Sequence, residues 1–238
     1  MTGSFNPIHP LHLQNLQCVK DYLETEHQPA WNVLAGYISP THDEYVHSKL
    51  RDPAWIPARD RCQLCEEAID DVTINHQEQK LPSWVSVTRG ESEWADGFVD
   101  FAPVTENFRD FLNDTLVEQE KVLKYRLSVI YVCGLDHFNK CSDVRKMAEL
   151  DNIIPAVVFR SGNDEQMISR SCKSSRVIYI PLTKQREKSL DVSSTQIREH
   201  FQNPSAKFII PGHRSLNFGF RSRANISASN DVLFIEIR

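Results

Sequence analysis

The chain has no run of eighteen apolar residues, which excludes a membrane-spanning helix of ordinary length. It has no surplus of positive charge. Its 27 Lys and Arg against 32 Asp and Glu give a net charge of −5 at pH 7. That argues against a broad nucleic-acid-coating surface and leaves room for a local basic pocket. Eight Gly and 12 Pro in 238 residues leave no place for a low-complexity tail. The opening residues Met1 to Pro7 carry neither a basic leader nor an apolar segment, so no secretory signal is expected. The cysteines Cys18, Cys62, Cys65, Cys133, Cys141 and Cys172 therefore read as reduced thiols of a cytoplasmic or nuclear compartment. Cys62 and Cys65 form a CxxC, but no second pair follows and the pair sits in a helical apolar pattern. Helix packing is the preferred reading over zinc or redox chemistry. What remains is ordinary: 40% hydrophobic and 25% charged, the composition of a globular domain.

Along the chain, helical periodicity alternates with short β-branched runs. Helices are expected over His12–Glu26, Pro57–Val72, Thr105–Lys124 and Ser193–Phe201. Strands are expected over Asn32–Ile38, Trp84–Thr88, Leu127–Cys133, Ile153–Phe159 and Val177–Ile180. Strands that read as continuous apolar runs between helices imply a parallel sheet covered on both faces. Ligands of such sheets lie beyond the carboxyl ends of the strands, so motifs directly after strands carry the most weight.

Four segments can do chemistry. Gly3-Ser4-Phe5-Asn6-Pro7 is a turn opening onto a helix, which can aim backbone N–H groups at a phosphate. His9 and His12 follow it, three apart and on one face of a helical start. Ser193-Ser194-Thr195-Gln196-Ile197-Arg198 places hydroxyls at a helix N-terminus, with an Arg one turn on that can fork onto the same anion. Gly134 and Asp136 follow the strongest strand, and Arg160 follows the next one. Each also has a bland reading: a surface loop, a helix cap or a polar turn.

Their order along the chain resembles the eukaryotic type of nicotinamide/nicotinate mononucleotide adenylyltransferase, in the nucleotidyltransferase superfamily. The resemblance rests on GSFNP with His9 and His12, ISPTHDEY (Ile38–Tyr45), IPARDR (Ile56–Arg61) and GESEW (Gly90–Trp94). It continues through CGLD (Cys133–Asp136), FRSGNDEQ (Phe159–Gln166) and VSSTQIR (Val192–Arg198), covering about residues 3 to 203. It implies a Rossmann-like, doubly wound parallel α/β sheet spanning residues 1–204, followed by a divergent tail, 205–238. It implies adenylyl transfer from ATP to nicotinamide or nicotinate mononucleotide, giving NAD or deamido-NAD and pyrophosphate. By the same resemblance His9, His12 and Arg198 are catalytic. Gly3, Ser4, Phe5 and His12 bind ATP, together with Ser193, Ser194, Thr195, Gln196, Ile197 and Arg198. Trp94, Gly134, Asp136, Arg160 and Lys49 bind the mononucleotide, with Trp94 stacking on the pyridine ring. Mg²⁺ accompanies ATP and no residue is expected to ligate it. No nucleic-acid or membrane partner is expected, and homo-oligomerisation stays open.

The chain departs from the family pattern in four places. Only Met1 and Thr2 precede Gly3, so the first, central strand is expected to be lacking. Val46-His47-Ser48-Lys49 stands where the family has a run of lysines. The segment between Asp136 and Arg160 is short and carries no second Trp, and the tail reads unlike a terminal helix. Two alternatives follow: a nucleotidyltransferase with a different acceptor, or an inactive nucleotide-binding protein.

Overall fold

The apolar runs of the sequence become strands buried on both faces. In the computed structural model the residues described are 1–75, 84–160, 167–168, 176–182 and 193–202. They contain β1 (Thr2–Gly3), β2 (Gly36–Pro40), β3 (Val85–Val87), β4 (Val129–Gly134), β5 (Ile153–Arg160) and β6 (Ile178–Leu182). All pairings are parallel, in the orders β1-β2-β3 and β4-β5-β6. The helices are α1 (Pro10–Asp21), α2 (Asp43–Leu50), α3 (Ala58–Asn75), α4 (Phe101–Asn113), α5 (Leu135–Lys140), α6 (Ser142–Met147) and α7 (Ser194–Gln202).

Alternation along the strands divides the interior in two. Ala156 and Val158 of β5 enter one core; Val157 and Phe159 enter the other. The first core joins Leu16 and Val19 of α1 and Cys65 and Ile69 of α3 to residues of β2 through β6. It runs across both three-stranded parallel sheets and joins them. Phe138, Val144 and Met147 of α5 and α6 cover the opposite face, and Leu112 of α4 packs there on Leu127 and Val129. Each such side chain contributes about 1.5–3 kcal/mol on burial. The arrangement is the doubly wound α/β sheet the sequence predicts.

Several boundaries move. β2 starts at Gly36, not Asn32, and runs on to Pro40. A Cβ on Gly36 would lie 2.6 Å from a ring carbon of Trp84, so glycine is what lets β3 close onto β2 here. α4 starts at Phe101, four residues early, because the Asp100 carboxylate accepts its N–H at 2.7 Å as an N-cap. The first strand, expected to be lacking, survives as two residues: Thr2 pairs with Ser39 and Gly3 with Pro40. On its other side the Thr2 hydroxyl lies 3.3 Å from the Tyr131 hydroxyl of β4. Beneath this stub β2 and β4 flank a cavity of about 420 Å³, lined on α4 by Phe108 and the exposed Phe111. Cys62 and Cys65 are fully buried free thiols on α3, packed as helix-face residues. Burial pushes Cys65 up to about 12. The tail from 205 onward lies outside the described residues, as do Ser161–Gln166 of the FRSGNDEQ motif.

Candidate active site

Strands running in one direction deliver their following residues to one edge of the sheet. Ser4, Thr41, Gly134 and Arg160 all stand at that carboxyl edge. The turn after β1 is held from beneath by two buried side chains. Arg61 is 0% exposed. Its Nε donates to the Ile56 carbonyl at 2.8 Å and its Nη1 to the Ser4 carbonyl at 2.8 Å. Its Nη2 donates to the Thr41 carbonyl at 2.7 Å and to Asp43 Oδ1 at 2.8 Å. Asn6, also buried, donates to the Ala54 carbonyl and accepts from the Ile56 N–H, both at 2.7 Å. So fixed, Phe5 holds φ at +41°, a left-handed conformation that non-glycine residues keep only when their surroundings impose it.

His9 and His12 follow at the start of α1, their rings 3.8 Å apart between centroids. The Phe5 ring meets His12 edge-on at 5.0 Å. Burial lowers His9 to about 4. Burial, and then the neighbouring His9, lower His12 to about 3. Both imidazoles are therefore neutral at pH 7. The His9 backbone N–H donates to His12 Nδ1 at 3.2 Å. In a neutral ring that assigns the proton to Nε2, which leaves His12 a free-standing N–H donor.

The start of α7 closes over the same turn. Ser193 and Gln196 cap the helix reciprocally, Ser193 N–H to Gln196 Oε1 at 2.7 Å and Gln196 N–H to Ser193 Oγ at 3.2 Å. Ser194 Oγ donates to the Pro7 carbonyl at 2.8 Å. Arg198 donates to the Asn6 carbonyl at 2.6 Å and to Thr195 Oγ1 at 3.0 Å. Ile197 is buried and anchors the helix. Two predicted motifs nearly the whole chain apart thus meet at one turn, which carries positive partial charge from backbone N–H groups and the Arg198 guanidinium.

Trp94 lies on the loop after β3, 52% exposed, and lines the cavity together with Glu91, Thr88 and Gly90. The loop is pinned to α2. Glu44 accepts the Phe98 N–H at 2.9 Å, and the rings of Tyr45 and Phe98 stack at 4.9 Å. Gly97 turns the chain there at φ +96°, where a Cβ would sit 2.7 Å from the Glu44 carboxylate. Lys49 is exposed on the last turn of α2, with Nζ 5.7 Å from the centre of the Tyr45 ring. Gly134 is exposed and faces open space, the geometry for a close-lying ligand. Asp136 points to solvent and pairs with Lys140 at 3.2 Å. Arg160 is exposed at the end of β5.

Three residues of this site carry no role in the sequence reading. Arg61 and Asn6 lie inside recognised motifs, yet only the fold shows that they hold the turn. Glu91 is 5% exposed, and its Oε2 accepts from Ser39 Oγ at 2.6 Å. It too lies inside a recognised motif, GESEW, and only the fold shows that it is buried.

A family model described as cytidylyltransferase-like matches residues 1–200. The chain is 39% identical over 136 residues to the nicotinamide/nicotinic acid mononucleotide adenylyltransferase of Oryza sativa subsp. japonica, covering 57% of this chain and 45% of that one. It is 29% identical over 110 residues to nicotinamide/nicotinic acid mononucleotide adenylyltransferase 2 of Xenopus tropicalis, covering 46% of this chain and 30% of that one. It therefore spans less than half the length of these curated relatives. No solved structure matches it.

Proposed function

Because the chain belongs to the cytidylyltransferase-like family, we propose that it transfers the adenylyl group of ATP to nicotinamide or nicotinate mononucleotide in NAD biosynthesis. A phosphate oxygen of the mononucleotide attacks the α-phosphorus. The bond from that phosphorus to the β-bridging oxygen breaks, and pyrophosphate departs in line. The attacking oxygen is already ionised, so no general base is required; catalysis is positioning plus stabilisation of charge on the phosphoryl oxygens. The neutral His12 Nε2–H donates to one of those oxygens and His9 supports it. The backbone of Ser4 and Phe5 cradles the triphosphate, and Thr195 and Arg198 hold the departing pyrophosphate. Trp94 stacks on the pyridine ring, and Lys49, Gly134 and Arg160 flank the mononucleotide.

Mg²⁺ neutralises phosphate charge when bound. Among the described residues no group of three or more His, Cys, Asp or Glu is placed to hold a metal. No helix among the described residues is long and apolar enough to cross a membrane.

The observation that carries this reading is the neutral His9–His12 pair against a turn closed by Ser194 and Arg198. The test is pyrophosphate release from Mg-ATP with either mononucleotide, with the dinucleotide identified by chromatography. Folded chain that releases none, or that serves unrelated acceptors equally well, overturns it.

A further inference from the structure

We propose that Glu44 is the positioning residue for Trp94: its carboxylate, on the first turn of α2, fixes the loop that presents the indole to the pyridine ring of the acceptor. This rests on the adenylyl-transfer reading above and deepens it by naming what holds the stacking ring in place.

The loop after β3 has an anchor on each side of Trp94. Before Trp94 it is tied to α3. Arg89 donates to Glu66 at 2.8 Å, the Ser92 hydroxyl lies 3.5 Å from Cys62 Sγ, and the Glu93 N–H donates to the Arg89 carbonyl at 2.9 Å. After Trp94 the chain reverses. The Gly97 N–H donates to the Trp94 carbonyl at 3.3 Å, and Gly97 adopts its left-handed conformation. The next residue meets α2: Phe98 gives its N–H to Glu44 Oε2 at 2.9 Å and stacks its ring on Tyr45. Trp94 itself is half exposed, so packing does little to fix it and the two anchors must.

The base of the second anchor is firm. Asp43, beside Glu44, accepts from the fully buried Arg61, whose other donors hold the Ser4 and Thr41 carbonyls. The turn after β1 and the Trp94 loop are thereby held by one connected set of side chains. In-line transfer needs both nucleotides in one register, so a shift of the loop is felt at the reacting atoms. Phe98 has no rival for the carboxylate among the described residues. His42 Nδ1 lies 3.8 Å from Glu44 Oε2, but it accepts the Glu44 N–H at 3.3 Å. The Glu44 side chain is 67% exposed, so its bond adds little to global stability, and its loss should show in binding instead.

The test compares Glu44→Ala, which removes the acceptor, with Glu44→Gln, which keeps an oxygen for the Phe98 N–H. Glu44→Ala should raise the mononucleotide KM about fivefold, the worth of one hydrogen bond, with the ATP KM within about twofold and little change in Tm. Glu44→Gln should stay within about twofold of the unmodified chain for both substrates. An unchanged mononucleotide KM in Glu44→Ala, an equal rise for ATP, or Glu44→Gln as impaired as Glu44→Ala overturns the proposal and leaves adenylyl transfer standing. If the unmodified chain releases no pyrophosphate, that reading falls instead, and two measurements without turnover decide the role of Glu44. They are hydrogen exchange at the Phe98 amide and acrylamide quenching of Trp94, the latter taken as the difference from Trp94→Phe. Both should change in Glu44→Ala and neither in Glu44→Gln; any other pattern overturns the positioning role.

Discussion

Replacing Arg61 by Met would remove the clamp under the turn after β1 while keeping most of its volume. Three carbonyls would lose their donor: Thr41, at a buried bond, and Ile56 and Ser4, at part-buried ones. The unsatisfied buried acceptor costs about 1–3 kcal/mol, and each part-buried one, which water reaches in part, about 1 kcal/mol. The Asp43 side chain is 35% exposed and is rehydrated on loss of its partner, so it adds under about 1 kcal/mol. The sum is about 3–6 kcal/mol, a large share of the roughly 5–15 kcal/mol that holds a domain together. At about 2–4 °C per kcal/mol for this size, Tm should fall by roughly 6–24 °C. Arg61→Lys keeps the charge but lacks the planar fork that reaches three carbonyls, so about half the loss should remain. Urea unfolding followed by circular dichroism measures this. At temperatures where both variants stay folded, turnover should also drop, by about tenfold or more, as the turn loses its register. An Arg61→Met protein within about 1 kcal/mol of the unmodified chain would refute the clamp, since its hydrogen bonds would then carry no net weight.

His12→Asn, which keeps an N–H donor but shifts its position, should lower kcat by about 10²–10³ with little change in Tm; near-normal steady-state turnover would remove His12 from the reacting phosphates. Trp94→Ala should raise the mononucleotide KM by roughly tenfold, the worth of one aromatic stack, and leave the ATP KM unchanged; equal changes in both would contradict ring stacking. His9 and His12 have folded values of about 4 and about 3 against an ordinary 6.5. The unfolded chain therefore takes up protons first as pH falls. Stability should be level above pH 6.5 and decline steadily from there toward pH 4, and urea midpoints at pH 7.5, 6 and 5 should show it. A midpoint that rises on acidification would contradict the burial of the pair.

The parallel sheet was readable before any coordinates because its strands are buried on both faces. Leu127–Cys133 and Ile153–Phe159 are too apolar and β-branched to sit anywhere but between two layers. Helices α2, α5 and α6 were not readable. At eight, six and six residues they are too short to display a 3.6-residue period. The start of β2 was misjudged for a different reason. Apolarity from Asn32 onward continues across a segment that joins the sheet only at Gly36, where the Trp84 ring leaves no room for a Cβ.

By itself the sequence determined the fold class and the residue types of the proposed phosphate site, since both follow from local pattern and motif order. Only the tertiary structure decided how they act. It brought Arg198 within 2.6 Å of the Asn6 carbonyl across 192 positions of chain. It half-buried His9 and His12, which lowers both below the ordinary imidazole value, turned Arg61 inward as a clamp and set Glu91 on a cavity wall. Protonation state, burial and partner choice depend on what surrounds a side chain in space, and spacing along the chain does not encode those surroundings.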